Sequence, residues 1–110
     1  MSDVVQGTLD MLILKSISLQ PMHGFGITQR IEQISQNVFR VNPGSLLVAF
    51  QRLERAGLIG SAWKDTENNR RAKFYSLTPA GRKQLARETR EWHQTADLIA
   101  AFLAPRKEAP

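Results

Sequence analysis

The sequence predicts a mainly α-helical (α+β) fold with one β-hairpin, and three observations support this. Apolar residues recur with a period of about 3.6 in three segments before Gly57. From Leu58 to Leu77 the period falls to 2, as in two half-buried strands. After Thr78 the helical period returns and continues to Leu103. This order of elements is that of a winged helix-turn-helix, in which the second and third helices form a DNA reader and the hairpin is the wing.

The first predicted helix runs from Val4 to about Leu19. Met11 and Leu14 lie beside its main apolar stripe, so the helix is apolar on more than one face. One core needs only a single stripe, and the additional flank therefore predicts contact with a second partner. The segment 20–24, which contains a proline and a glycine, ends this helix.

The second predicted helix runs from Gly24 to Gln36, and His23 caps or packs against its start. Its inward positions are Ile27, Ile31 and Ile34. The segment 37–41 is predicted to be an extended connector, with Phe39 packed under the helices.

The third predicted helix lies between Asn42, a good N-cap, and Gly57, which suits a left-handed C-terminal residue. Pro43 fits the first helical position. The apolar face consists of Leu46, Ala49, Phe50 and Leu53. The opposite face carries Ser45, Leu47, Val48, Gln51, Arg52 and Arg55. Such a helix fits a DNA major groove, although a surface helix that simply solvates its arginines has the same pattern.

The hairpin is predicted to end in a polar loop, 65–70, with basic residues at its edge. Thr78 and Pro79 then start the last helix, which extends to Leu103 and would be about 37 Å long at ~1.5 Å per residue. Leu85, Trp92 and Ile99 recur every seven residues along it, as in a short coiled-coil seam. A domain of this size cannot cover such a helix, which predicts that a second copy covers it.

The charge is concentrated in the middle of the chain. Residues 40–90 contain eleven Lys/Arg and four Asp/Glu, a net charge of +7, whereas the flanking segments are each −1. This distribution predicts a polyanionic partner, most simply double-stranded DNA. The chain has no cysteine, which excludes disulfides and thiolate metal sites, and no residue set at the spacing of a catalytic or metal site. We therefore expect a cytoplasmic protein that is not an enzyme, has no cofactor and does not span a membrane.

Five stretches, in register, resemble one known family. They are Gly7–Leu14, His23–Ile27, Pro43–Leu46, Arg52–Ile59 and Arg71–Gly81. Over nearly its whole length the chain resembles PadR-type bacterial transcriptional regulators of the short-tailed branch, which lacks a separate C-terminal domain. The resemblance implies a dimeric repressor whose third helix reads the major groove and whose wing lies along the DNA backbone. It also implies that the first and last helices form the dimer.

Three positions depart from the pattern of that family. Leu47 and Val48 stand where the family usually has tyrosine and proline, and Phe25 replaces another tyrosine. The change at 47 removes a hydroxyl that typically contacts the DNA backbone, whereas Val48 could touch a thymine methyl group. Three outcomes remain open: a different target sequence, weaker binding, or a face that binds another partner. The Phe25 ring is expected to be buried.

The residues predicted to contact DNA lie on the second helix, the third helix and the wing. They are Gln29, Arg30, Ser45, Leu47, Val48, Gln51, Arg52, Arg55, Arg70, Arg71 and Lys73. For each charged residue the alternative is simple solvation.

The residues predicted to form the dimer interface lie on the first and last helices. They are Leu9, Met11, Leu14, Leu85, Trp92, Ala96, Ile99 and Leu103. Trp92 has two interpretations: packing in the seam, or stacking on a flat hydrophobic small-molecule effector, as the resemblance to multidrug-responsive relatives implies.

These expectations give residues 1–78 as the DNA-binding domain, 79–103 as the dimerisation helix and 104–110 as a frayed tail. The predicted function is a sequence-specific DNA-binding transcriptional regulator, acting as a homodimeric repressor on an inverted-repeat operator. The alternative is a winged-helix protein-interaction module without specific DNA binding, which Leu47 and Val48 on the supposed reading face favour.

Overall fold

The structure is a computed structural model that describes residues 2–3 and 6–105. In chain order the elements are β1 (Ser2–Asp3), α1 (Gln6–Ile17), β2 (Met22–His23), α2 (Gly24–Ile34), β3 (Phe39–Arg40), α3 (Pro43–Arg55), β4 (Ile59–Asp65), β5 (Arg71–Leu77) and α4 (Pro79–Leu103). This is the predicted winged helix-turn-helix with a long last helix. Two predictions, the start of the first helix at Val4 and most of the frayed tail at 104–110, fall on residues outside the described ones.

The hairpin of β4 and β5, which we call the wing, pairs in antiparallel register from Ile59 opposite Leu77 to Asp65 opposite Arg71. The loop is closed by the amide of Thr66, which donates to the carbonyl of Arg70 at 2.7 Å. In β4 only Ile59 is buried, because the hairpin extends beyond the core. The expectation of a half-buried strand through Trp63 was therefore wrong.

Three short strands were not predicted. β2 adds to the outer edge of β5, with Met22 opposite Tyr75, so the segment after α1 is part of the sheet rather than only a break. β1 and β3 form a separate parallel pair. Two residues are too few to show a period of 2, so strands of this length leave no periodic pattern in the sequence.

The core is built where α1, α2 and α3 meet the base of the sheet. Ile13, Leu14 and Ile27 are its largest fully buried side chains. The ring of Phe50 on α3 stacks on that of Tyr75 on β5, with centroids 4.0 Å apart and planes 24° apart. This contact fixes the position of the wing relative to α3. Phe39 packs against the core, as predicted.

Two predicted core residues of α2 are on the surface instead. Ile34 is 70% exposed, because α2 ends at this residue and the chain turns away through Gln36 and Asn37, both with positive φ. The ring of Phe25 is 69% exposed, since its helix position faces outward from the first turn of α2. The expectation that both would be buried was wrong.

The last helix is held to the domain along its first half. Thr78 accepts a hydrogen bond from the amide of Gly81 and donates one to the carbonyl of Gly57 at 2.7 Å. Gly81 is buried, and the helix then packs on α1. From residue 91 to 105 every side chain is exposed, and the molecule measures 69 × 30 × 22 Å. The outer half of α4 thus extends away from the domain that carries it.

Candidate nucleic-acid interface

The outward face of α3 is formed as the sequence predicted. The side chain of Asn42 accepts hydrogen bonds from the amides of Gly44 and Ser45, at 2.8 and 3.3 Å, and so starts the helix. Leu46, Ala49, Phe50 and Leu53 are buried. The exposed side chains are Ser45, Leu47, Val48, Gln51 and Arg55. Leu47 and Val48 are 56% and 57% exposed, so this face is apolar at its centre and polar at its ends.

Arg52 was predicted to share this outward face with Arg55, but its side chain is directed towards α1 instead. Its guanidinium forms an ion pair with the carboxylate of Asp10 on α1, and both side chains are partly buried. The position is at the edge of the apolar face, so the side chain is directed towards α1 rather than outward. Arg52 therefore ties α3 to α1.

We expect Arg52→Ala and Arg55→Ala to affect stability differently. Removing Arg52 leaves the partly buried Asp10 carboxylate without its partner, which should cost about 1 kcal/mol or more of unfolding free energy. Removing the exposed Arg55 should change it by less than ~0.5 kcal/mol. Urea unfolding followed by circular dichroism measures both values. Equal changes for the two variants would contradict these orientations.

The wing carries two kinds of basic residue. Arg70 and Arg71 are exposed at its tip. Lys73 is half-buried and lies 3.4 Å from the carboxylate of Glu54 on α3, which also accepts a hydrogen bond from Ser61 on β4. Lys73 thus connects the wing to α3, whereas the two arginines extend from it.

The phenol of Tyr75 lies beneath this connection. Burial raises the pKa of Tyr75 above its usual value, while the nearby Lys73 ammonium opposes the shift. The ammonium is also 5.7 Å from the centroid of the Tyr75 ring. The phenol stays protonated at neutral pH, so the base of the wing carries no additional negative charge.

A groove of about 880 Å³ separates the wing from the starts of α2 and α3. Arg70 and Arg71 line one wall, and Phe25, Thr28 and Leu47 line the opposite one. His23 connects the two walls of the groove. Its Nδ1 accepts a hydrogen bond from the amide of Gly26 on α2 at 3.0 Å, and its ring packs edge-on against that of Phe74 on β5, with centroids 5.3 Å apart. This confirms that His23 both caps and packs.

The two predicted sites on α2 are separated from this groove. Gln29 is exposed, and Arg30 is half-buried in a different cavity that it shares with Lys15 of α1. Neither side chain is among those that line the groove.

The predicted dimer residues divide into two groups. Leu9 and Leu14 are buried in the core of their own chain, with Leu14 wholly inaccessible, so these two side chains pack within the protomer. Leu85 is nearly buried, but it lines an open groove between α1 and α4 together with Met11 and Trp92. Met11 is half-buried, and Trp92, Ala96, Ile99 and Leu103 are exposed. Leu98 and Phe102 were not predicted, and Phe102 is 86% exposed. A strict seven-residue repeat omits both positions. At ~100° per residue, Phe102 lies about 60° and Leu98 about 100° around the axis from Ile99, in the same direction, so both widen the apolar surface on one side of Ile99.

The described residues contain no group of three or more His, Asp or Glu side chains placed to hold a metal ion. None of the helices in that part of the chain is both long and apolar enough to cross a membrane.

Comparison with known proteins decides what kind of winged helix this is. The model of the Transcriptional regulator PadR-like family matches residues 13–87. The chain belongs to the PadR-like family of transcriptional regulators. Members of this family are DNA-binding regulators of transcription rather than enzymes, and the matched segment contains α2, α3 and the whole wing.

Individual relatives extend the match along the chain. Uncharacterized protein X of Lysinibacillus sphaericus is 30% identical over 102 residues, which are 93% of this chain and 94% of that protein. Transcriptional regulator Rv3488 of Mycobacterium tuberculosis is 33% identical over 84 residues, 76% of this chain and 75% of that protein. A transcriptional regulator from Clostridium thermocellum has a similar structure, with a TM-score of 0.81 at 28% identity, covering 90% of this chain and 93% of that one.

Proposed function

We propose that this PadR-like chain is a sequence-specific repressor that binds an inverted-repeat operator as a homodimer. The observation that carries the proposal is the exposed face of α3 beside an arginine-tipped wing, in the part of the chain with a net charge of +7. In this assignment α3 enters the major groove, and the wing follows the phosphate backbone.

The contacts follow from the exposure of each side chain. Ser45, Gln51 and Arg55 supply hydrogen-bond donors to bases or phosphates, and Leu47 and Val48 supply apolar contact to thymine methyl groups. Arg70 and Arg71 bind phosphates, with Gln29 as a further contact from α2. Arg52 and Lys73 act indirectly in this assignment, because their ion pairs with Asp10 and Glu54 hold α3 and the wing in position.

The uncovered half of α4 supports the dimer. Its exposed apolar side chains are Trp92, Leu98, Ile99, Phe102 and Leu103. An apolar surface of this kind on a helix that extends from its domain needs a partner, and a second copy offers the same surface by two-fold symmetry. Two α3 helices would then meet successive major-groove faces. Trp92 is also where we place a flat hydrophobic effector, if this regulator is released by one.

The second candidate function is a protein-interaction module, which the exposed Leu47 and Val48 at the centre of α3 favour. A titration with a random-sequence duplex over a range of salt concentrations separates the two. A DNA-binding protein should lose affinity steeply as salt rises, with a slope set by the number of phosphates neutralised. A flat or absent response would support the protein partner and contradict the repressor.

The wing gives a prediction with a matched control. Replacing Arg70 and Arg71 with Gln should weaken binding to all duplex sequences alike, and the slope of log affinity against log salt should fall by about 1 for each phosphate that is no longer neutralised. Lys83→Gln is the control, because Lys83 is an exposed cation of α4 that is not among the residues that line the groove beside the wing. Fluorescence anisotropy with a labelled duplex measures the slopes. Equal effects of the double variant and the control would contradict a specific role for the wing.

A further inference from the structure

A cavity of about 330 Å³ lies between α1, α2 and β3, apart from the groove beside the wing. This volume is at the lower end of the range for small-molecule sites. Its apolar wall is formed by Leu12, Ile31, Ile34 and Phe39. The cavity is therefore suited to a compact apolar group.

Two cations border this apolar wall. Lys15 of α1 and Arg30 of α2 both line the cavity, the first exposed and the second half-buried. Within residues 2–3 and 6–105, neither Lys15 nor Arg30 has an acidic partner. An unpaired guanidinium beside an apolar surface is a strong site for a carboxylate.

The two hydroxyl groups of the cavity are already used. Ser16 donates to the carbonyl of Leu12 at 2.7 Å. Ser35 donates to the carbonyl of Glu32 at 3.3 Å and accepts the amide of Phe39 at 3.1 Å. The polar end of a ligand would thus be bound by Lys15 and Arg30 rather than by the two serines. The cavity therefore favours a ligand whose polar end is negatively charged.

We propose that this cavity binds a small apolar monocarboxylate, with the tail against Ile31, Ile34 and Phe39 and the carboxylate on Arg30 and Lys15. A neutral ligand of the same tail would leave both cations without a counter-charge. A cationic one would be repelled by them. A polyanion without a tail would leave the apolar wall uncovered.

The position of the cavity connects it to DNA binding, and this step rests on the proposed function. Phe39 lies three residues before Asn42, whose side chain starts α3. A ligand tail packed on Phe39 would contact the segment that leads into α3. A ligand carboxylate on Arg30 would neutralise a cation of α2, the helix before that segment. Bound ligand should weaken DNA binding, and DNA should weaken ligand binding by the same factor.

The first test uses octanoate, 1-octanol and octylamine, which share one tail and differ in charge. Isothermal titration calorimetry without DNA should show that octanoate binds at least about tenfold tighter than the other two, as expected for a charge-assisted contact. Arg30→Gln should remove about tenfold of octanoate affinity and leave that for 1-octanol unchanged, whereas Lys83→Gln, an exposed cation outside the cavity, should change neither. Equal affinities for octanoate and 1-octanol, or an unaffected Arg30→Gln variant, would overturn the proposal.

The second test locates the bound octanoate. Amide chemical shifts in two-dimensional NMR should change at Ser16, Ile34 and Ser35. Ile34→Trp should abolish binding, because a larger side chain at this exposed position fills the cavity without disturbing the core. Chemical-shift changes centred on Trp92 would overturn the assignment of octanoate to this cavity. So would octanoate binding that is seen only in a monomeric variant and not in the unaltered protein.

The third measurement separates this proposal from the proposed function. Affinity for a random-sequence duplex is measured with and without saturating octanoate. Weaker DNA binding with octanoate, abolished in Ile34→Trp, supports the regulatory role. Unchanged DNA binding with the cavity occupied overturns that role, and a protein that binds octanoate but no DNA disproves the proposed function instead.

Discussion

Ile99→Glu is expected to convert the protein to a monomer and to remove most of its affinity for DNA. Ile99 lies in the middle of the exposed apolar surface of α4, together with Leu98 and Phe102. A carboxylate there would be buried without a partner in a two-fold interface, which costs several kcal/mol and should weaken dimerisation by at least about a hundredfold. DNA binding falls because one protomer binds half of the phosphates, so the salt slope should also fall by about half.

The fold of each protomer should survive this substitution, since Ile99 makes no contribution to the core of its own chain. Ala101→Glu is the matched control: it is exposed on the same helix but about 200° around the axis from Ile99, at ~100° per residue. Light scattering should give a monomer for Ile99→Glu and a dimer for Ala101→Glu. A dimeric Ile99→Glu variant would place the interface elsewhere and contradict our assignment of α4.

Gly81→Ala is expected to lower the free energy of unfolding strongly, although it adds only one methyl group to the first turn of α4. A Cβ at Gly81 would lie 2.0 Å from the backbone carbonyl oxygen of Leu58 and 2.7 Å from Cδ1 of Leu77. A side chain can move aside, but the Leu58 carbonyl oxygen is backbone and is held in place because it accepts a hydrogen bond from the amide of Thr78 at 3.2 Å. The start of α4 must therefore shift away from the wing, at a cost of about 3 kcal/mol or more.

Ala80 offers the comparison for this prediction, because it is the exposed residue next to Gly81 in the same helical turn. Ala80→Ser should change the unfolding free energy by less than ~0.5 kcal/mol. Thermal unfolding followed by circular dichroism measures both variants. If Gly81→Ala melts with the unaltered protein, α4 does not approach the turn before the wing as closely as described.

The residues of α3 show which parts of the site the sequence could predict. Asn42 predicts the cap, Pro43 the first helical position, and the period of 3.6 the buried face, because all three features depend on neighbouring residues alone. The orientation of Arg52 could not be predicted in this way, because its partner Asp10 is 42 residues away and their meeting depends on how α1 packs on α3. The same holds for Lys73 and Glu54.

Burial was predicted well at the centres of elements and poorly at their ends. Ile27 and Ile31 are inside, but Ile34 is at the last turn of α2, where the core has already ended. Leu14 shows the opposite error, because its apparently spare flank is covered by its own chain. A helix such as α1, which contacts α2, α3, α4 and β5, buries more than one stripe, and a periodic pattern alone cannot distinguish such neighbours from a second copy.

The central claim, that two α3 helices of one dimer read DNA sequence, is tested most directly by selection from a random duplex library. Bound duplexes are recovered at physiological salt over several rounds and sequenced, with Arg55→Ala as a parallel sample. We predict an inverted repeat whose half-sites lie about 10 base pairs, or a multiple of one helical turn, apart. The bases preferred by the unaltered protein should be less strongly selected by the variant. Recovery of unrelated sequences, or of a single unrepeated site that Arg55→Ala selects equally well, would contradict this claim.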